Sequence, residues 1–119
     1  MRLFRFDPSV ARVIDWHGSS FLQCFLSVID HGMMAVSVMH LRPDDRVGRH
    51  AASVPQLFAV VQGTGYVQGD VGDDVAISAG QAAFWDVGEA HGAHTGAGMT
   101  AVVLEGAGLN PAKFMPGAD

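Results

Sequence analysis

The sequence is most informative between residues 48 and 91. It begins there with GRHAASVPQLFAVVQGTG (residues 48–65) and ends with GQAAFWDVGEAH (residues 80–91). Each segment places a histidine, His50 or His91, close to a glycine and to a short apolar run of strand length. Because glycine favours tight turns while branched and aromatic residues favour strands, this pattern predicts strands joined by turns.

The same alternation of strand and turn continues on both sides of this region. Turn residues recur about every ten residues, a spacing typical of β-sandwiches and barrels. The chain is therefore predicted to be all-β, with few or no helices. The predicted strands are Phe21–Ile29, Met33–Leu41, Leu57–Val61, Gly65–Val67, Val75–Ile77, Ala82–Trp85 and Thr100–Leu104. The predicted turns include a charged turn at 42–49 and a glycine turn at 63–65.

Length and composition limit the classes of function. A chain of 119 residues and 12.5 kDa is expected to form one domain over residues 1–119, with a core at about 20–105 and a tail at 106–119. Its formal net charge of −5 argues against binding nucleic acid. No apolar run approaches the ~20 residues that span a bilayer, so no membrane contact is expected.

Two further features concern compartment and assembly. The single cysteine, Cys24, lies in an apolar run, and the N-terminus has no secretory pattern, so we expect a cytoplasmic protein. Only 16% of the residues are charged. With so few charged residues, a domain of this size is expected to expose apolar surface, which favours a homo-oligomer.

The first segment, residues 48–65, resembles the first signature motif of the cupin superfamily. That motif contains two histidines separated by one residue, then a glutamate and a closing glycine. His50 occupies the first histidine position and Gly63 the closing glycine position. Ala52 replaces the second histidine, which is expected to leave space, and Gln56 replaces the glutamate.

The second segment resembles the second cupin motif, in which two glycines precede a histidine. Gly80, Gly88 and His91 keep the register of that motif, with Asp86 in place of the usual proline. Two motifs at the expected mutual distance are a stronger signal than either alone. The resemblance implies a cupin-type double-stranded β-helix, a jelly-roll-like barrel whose two sheets enclose a pocket, and a homodimer formed through outer strands.

The resemblance also implies a metal site at the ligand positions that remain, namely His50, Gln56 and His91. Two imidazoles and an amide oxygen are expected to bind a divalent transition metal, and Fe, Ni, Mn, Cu and Zn are all chemically acceptable. Without the glutamate charge, metal affinity is expected to be lower than in an intact cupin site. The alternative is that His50 and His91 form hydrogen bonds to a small-molecule ligand or to water.

Three functions are compatible with such a pocket, and the sequence leaves open whether the protein is an enzyme. The first is a small-molecule-binding cupin with a divalent metal, of the oxygenase or isomerase type if it is an enzyme. The second is a metal-free module that binds or senses a small organic ligand. The third is a metal-free isomerase or epimerase, because the cupin resemblance also allows proton transfer by histidine with a carboxylate.

The other titratable residues are weaker candidates. His94 follows His91 by three residues, so strand alternation places it on the opposite face unless a bulge intervenes. Asp86 and Glu89 flank the second motif and are interpreted as exposed turn carboxylates, with support of a site histidine or general acid-base catalysis as the alternatives. His17 lies in a polar stretch and is not expected to have a function.

Overall fold

Nine strands and four single-turn 3-10 helices make up the computed structural model, which describes residues 1–118. These residues contain no α-helix, and no helix among them is long and apolar enough to cross a membrane. The 3-10 helices are Pro8–Val10, Trp16–Gly18, Asp30–Gly32 and Pro111–Lys113. The strands are β1 (Arg12–Ile14), β2 (Phe21–Ile29), β3 (Met34–Leu41), β4 (Arg46–Ala51), β5 (Gln56–Gln68), β6 (Val75–Ser78), β7 (Ala82–Trp85), β8 (Ala90–His94) and β9 (Met99–Gly106).

The strands pair antiparallel in a sheet that curls into a barrel. Their spatial order is β1-β2-β3-β9-β5-β8-β4, with β6 and β7 added to β5. Strand β5 spans 13 residues, so its first half pairs with β7 and β9 and its second half with β6 and β8. A bridge between Ser20 and Arg46 brings β4 beside the start of β2. This curled antiparallel sheet confirms the all-β prediction.

The predicted turn at residues 63–65 is wrong, because this segment lies inside β5. Gly63 has a φ of +84°, and a Cβ there would overlap the carbonyl oxygen of Gly98. Glycine at this position therefore lets β5 bend and lets the loop before β9 approach closely, without reversing the chain. A register shift between Val60 and Gln62 accompanies the bend.

The predicted charged turn at 42–49 is wrong in its second half. Residues 46–51 form β4, which pairs with β8. Arg46 and Arg49 are exposed there, whereas Val47 and Gly48 between them are buried, at a register shift in the strand. Charged residues on the outer face of a strand do not prevent pairing, because only the other face is buried.

The other predicted strands are confirmed, and Phe21–Ile29 and Ala82–Trp85 match β2 and β7 residue for residue. The predicted tail, 106–119, contains one 3-10 helix, Pro111–Lys113. Within that tail, Asp119 lies outside the described residues.

Inward-facing side chains fill the interior of the barrel. Phe58 is 1% exposed, and Ala101 and Val103 are fully buried. The ring of Phe58 meets Trp85 edge-on, and the Trp85 indole N–H donates to the carbonyl oxygen of Gln68 at 2.9 Å. The indole N–H, the one polar group of these two rings, is thus satisfied. The barrel interior opens into a pocket near the Trp85 ring, which lies 5.1 Å from the ring of His91.

Candidate functional site

A cavity of about 160 Å³ inside the barrel brings together the three residues predicted from the motifs, His50, Gln56 and His91. Usual small-molecule pockets begin at about 300 Å³, so this one suits a ligand with few atoms. Its wall combines apolar and polar side chains. They are Ile14, Trp16, Phe21, Phe25, Met39 and Val47, together with Ser19, Gln23 and Glu105.

Two neighbouring strands place the histidines side by side. His50 on β4 and His91 on β8 are register partners, and their ring centroids lie 4.2 Å apart. Gln56 begins β5 and is 4% exposed, so its side chain lies inside the barrel. Ala52 is equally buried but does not line the cavity. The space expected beside Ala52 is therefore not part of the pocket.

A hydrogen bond to the main chain orients His50. Its Nδ1 lies 2.7 Å from the carbonyl oxygen of Gly48. Because a carbonyl oxygen can only accept, Nδ1 carries a proton, and in the neutral ring Nε2 keeps a lone pair. Histidines that bind metals are commonly held in this way by a backbone carbonyl.

His91 is the more deeply buried of the two histidines. Its side chain is nearly inaccessible, at 3% exposure, and its Nδ1 has no hydrogen-bond partner within residues 1–118. Burial, together with the nearby His50, lowers the pKa of His91 to about 4, although main-chain groups of Glu89 and His50 beside the ring partly oppose this shift. His91 is therefore neutral at pH 7, and its Nδ1 is a buried polar atom without a hydrogen-bond partner among these residues.

Glu105 is a residue of the pocket that the sequence analysis missed. It is the register partner of Gln56 across the β5–β9 ladder, and it lines the same cavity. Burial raises the pKa of Glu105, and the nearby His50 partly opposes that rise. The available signal was strand alternation, since Glu105 shares its face of β9 with the fully buried Ala101 and Val103.

The 3-10 helix before β2 covers His50, although it precedes the predicted core at 20–105. The Trp16 ring meets the His50 ring edge-on at 4.9 Å, and the His17 ring stacks on His50 at 5.5 Å. His17, which the sequence gives no reason to expect at a site, thus lies against a predicted site histidine. Its main chain approaches β4 at Gly48, which has no side chain to block the contact.

Comparisons with known proteins give the same architecture. No family model and no curated protein matches the chain. A Cupin 2 conserved barrel domain protein from Salinispora arenicola aligns with a TM-score of 0.74 and 13% identity, over 91% of this chain and 90% of that one. An RmlC-like cupin from Shewanella frigidimarina aligns at 0.68 and 21%, over 88% and 90%. The chain has the cupin fold. A predicted oxalate decarboxylase from Thermotoga maritima, with a TM-score of 0.70 and 21% identity over 85% and 96%, has the same architecture.

The donor set of this cupin barrel differs from that of an intact cupin motif. Within residues 1–118, no three His, Cys, Asp or Glu side chains converge as a metal site. The available donors are the imidazoles of His50 and His91 and the amide oxygen of Gln56. Neutral nitrogen and oxygen ligands of this kind fit a divalent transition metal, and the unpartnered Nδ1 of His91 is one such donor.

The weaker candidates lie outside the cupin pocket. The Nε2 atom of His94 is 3.0 Å from the Asp74 carboxylate, and its ring stacks on Tyr66 on the outer surface. The spacing from His91 predicted this opposite face. The carboxylate of Glu89 accepts a hydrogen bond from the main-chain N–H of Asp86 at 3.1 Å, within the turn before β8.

Proposed function

We propose that this protein binds a small molecule in the barrel pocket, beside a divalent transition metal held by His50, Gln56 and His91. The observation that carries the proposal is the buried Nδ1 of His91, which has no hydrogen-bond partner within residues 1–118. A buried polar atom is costly to leave unsatisfied, so such an atom points to a bound group. The orientation of His50 supports the same site, because its Nε2 remains free beside His91.

Protonation favours the same assignment. Metals bind the neutral imidazole, and a pKa of about 4 keeps His91 neutral at pH 7. Gln56 adds an amide oxygen that needs no deprotonation. When bound, a divalent ion in this position would supply a Lewis acid or, for an oxygenase, an oxygen-binding centre.

The lining of the pocket limits the ligand. Its volume is about 160 Å³, and the aromatic side chains of Trp16, Phe21 and Phe25 supply much of the apolar wall. The histidines and Gln56 supply polar contacts. We therefore expect a compact ligand that combines an apolar body with one polar group.

A metal-free function is the second candidate, and the proximity of Glu105 to His50 favours it. The two side chains are close enough for their charges to interact. A histidine and a carboxylate can together move a proton on a bound substrate, as in an isomerase or epimerase. Without that chemistry, the same pocket would serve a ligand-binding sensor module.

Elemental analysis of untagged protein, purified without chelator, separates the two candidates. We expect near-stoichiometric transition metal in the wild type and its loss in His50→Ala and in His91→Ala. His94→Ala is the matched control, because it removes a histidine from the same strand as His91 but from the outer surface. Metal-free wild-type protein that takes up none of Fe, Ni, Mn, Cu or Zn would reject the metal site in favour of the metal-free candidate.

A further inference from the structure

We infer that Glu105 supplies, from β9, the negative charge that the metal site lacks at Gln56. This inference rests on the proposed metal site and adds a residue to it. In the cupin motif the charge belongs to position 56, where this chain has a neutral amide. In this chain a carboxylate is present instead at Glu105, the partner of Gln56 on the neighbouring strand.

The register of two strands places this carboxylate. Gln56 and Glu105 are direct partners in the antiparallel ladder of β5 and β9. Partner side chains project from the same face of a sheet, with Cβ atoms about 4.5–5.5 Å apart. Both residues line the same cavity as His50 and His91. A carboxylate at position 105 therefore enters the region that a glutamate at position 56 would occupy.

A divalent ion in this pocket would need a negative charge nearby, which Glu105 can supply. Imidazole and amide ligands are neutral, so they leave both charges of a divalent ion uncompensated where water is scarce. Glu105 is the only acidic residue among those that line the cavity, and no Lys or Arg lines it. The ion pairs within residues 1–118 do not include Glu105. No Lys, Arg or His of residues 1–118 lies within ion-pair distance of its carboxylate, although His50 is near, so the carboxylate is available as the counter-charge.

The geometry distinguishes a counter-charge from a third protein ligand. No three His, Cys, Asp or Glu side chains of residues 1–118 converge as a metal site, so Glu105 does not complete a coordination triad with His50 and His91. We therefore assign it as a residue that lies beside the ion and compensates its charge. Substitution of residues in this role typically lowers metal affinity by about 10–100-fold.

Titration of chelator-treated protein with Co²⁺, followed by its visible absorption, tests the assignment. Glu105→Gln is expected to weaken Co²⁺ binding by at least about tenfold. Glu89→Gln changes the only other glutamate of the chain, which lies outside the pocket. Its Co²⁺ affinity is expected to equal that of the wild type.

A second variant moves the charge back across the ladder. Gln56→Glu/Glu105→Gln keeps one carboxylate in the pocket and is expected to recover most of the lost affinity. Near-UV circular dichroism establishes that each variant is folded. If Glu105→Gln alone does not fold, the double variant carries the test: wild-type affinity supports the inference, and affinity more than about tenfold lower overturns it.

The two ways of failing give different results. Equal Co²⁺ affinity in Glu105→Gln and Glu89→Gln would overturn the role of Glu105 while leaving the metal site intact. Wild-type protein that binds no Co²⁺ would overturn both the metal site and the role of Glu105 in it.

Discussion

Gly48 lies against the main chain of His17 with no room for a side chain, since a Cβ at position 48 would overlap the carbonyl oxygen of His17. The main-chain N–H of Gly48 also donates to the Ser19 hydroxyl at 2.8 Å. These contacts hold the 3-10 helix that contains His17 against β4, the strand on which His50 lies. Because the Trp16 ring packs on His50, the contact at Gly48 positions one wall of the site.

Gly48→Ala is expected to displace this 3-10 helix. Overpacking of a close contact costs about 1–3 kcal/mol, which urea unfolding measures. The His50 ring protons should also shift in NMR spectra, because they lose the ring current of Trp16. Gly96→Ala is the matched control, since a Cβ there would meet open space. Equal stability and unchanged His50 resonances in Gly48→Ala would contradict this account of the wall.

The pKa of His91 makes stability depend on pH. In the folded protein it is about 4, against an ordinary value of 6.5. Between these values the unfolded chain binds a proton at this site and the folded protein does not, so the free energy of unfolding falls as pH falls. Above pH 6.5 the titration of His91 does not lower the free energy of unfolding. At about 1.4 kcal/mol per pKa unit, the decrease in this free energy approaches about 3 kcal/mol near pH 4.

Urea unfolding of metal-free protein at several pH values measures this dependence. His91→Gln cannot titrate, so its free energy of unfolding should fall less than that of the wild type between pH 7.5 and pH 4.5. His40→Gln is the control, because His40 is partly exposed and its Nε2 lies 2.9 Å from the carbonyl oxygen of Phe6, away from the barrel pocket. The same pH dependence in wild type and His91→Gln would show that His91 is not held neutral by burial.

Asp45 stabilises the loop before β4 through side-chain hydrogen bonds. Its carboxylate accepts hydrogen bonds from the Arg42 main-chain N–H at 2.8 Å, from the Arg42 guanidinium at 2.7 Å and from the Ser20 hydroxyl at 3.1 Å. Burial alone would raise the pKa of Asp45, but these bonds outweigh burial and lower it. The stabilisation is therefore present above the ordinary pKa of 3.8 and is lost as pH falls below it.

Asp45→Asn is expected to lower the free energy of unfolding at pH 7 by about 1–3 kcal/mol, because it removes a charge that accepts several bonds. Below pH 3 the gap between wild type and variant should narrow, which urea unfolding at both pH values measures. Asp73→Asn changes an exposed loop carboxylate and serves as the control. A gap that stays constant from pH 7 to pH 3 would exclude the ionised carboxylate as its source.

The sequence predicts His50, Gln56 and His91 as neighbours because the spacing within two motifs fixes their places on adjacent strands. It misses Glu105 for a local reason: the predicted strand Thr100–Leu104 ends one residue before it. Strand β9 continues to Gly106 because β3 pairs along its whole length and β5 pairs with it as far as Glu105. That pairing is a tertiary contact, which the pattern of a single apolar run does not contain.

The strand β8 was missed for a related reason. Its residues, AHGAH at 90–94, include no β-branched side chain, so propensity does not favour a strand. Pairing with β4 and β5 forms the strand nevertheless. Gly92 allows this close approach, because a Cβ there would lie 3.0 Å from the Gln68 side chain and 3.3 Å from Arg49. Packing between strands thus overrides local preference here.

The outer half of β2 is the surface that we propose for the expected homodimer. Strand β1 pairs only with Phe21–Gln23, so the edge of residues 24–29 has no further strand beside it within residues 1–118. Its apolar side chains remain exposed, with Val28 60% and Ile29 51% accessible. Two copies of such an edge can pair antiparallel about a two-fold axis, which covers the apolar residues of both.

Light scattering coupled to size-exclusion chromatography measures the oligomeric state. We expect the wild type to elute with the mass of a dimer and Val28→Glu with the mass of a monomer, because a buried unpaired carboxylate at a two-fold interface meets its own copy. Val71→Glu changes a valine that is 87% exposed in a loop far from this edge in sequence, and the dimer should persist. Dimers of equal stability in both variants would mean that the copies meet elsewhere on the barrel. A monomeric wild type would mean that the apolar edge of β2 stays in solvent.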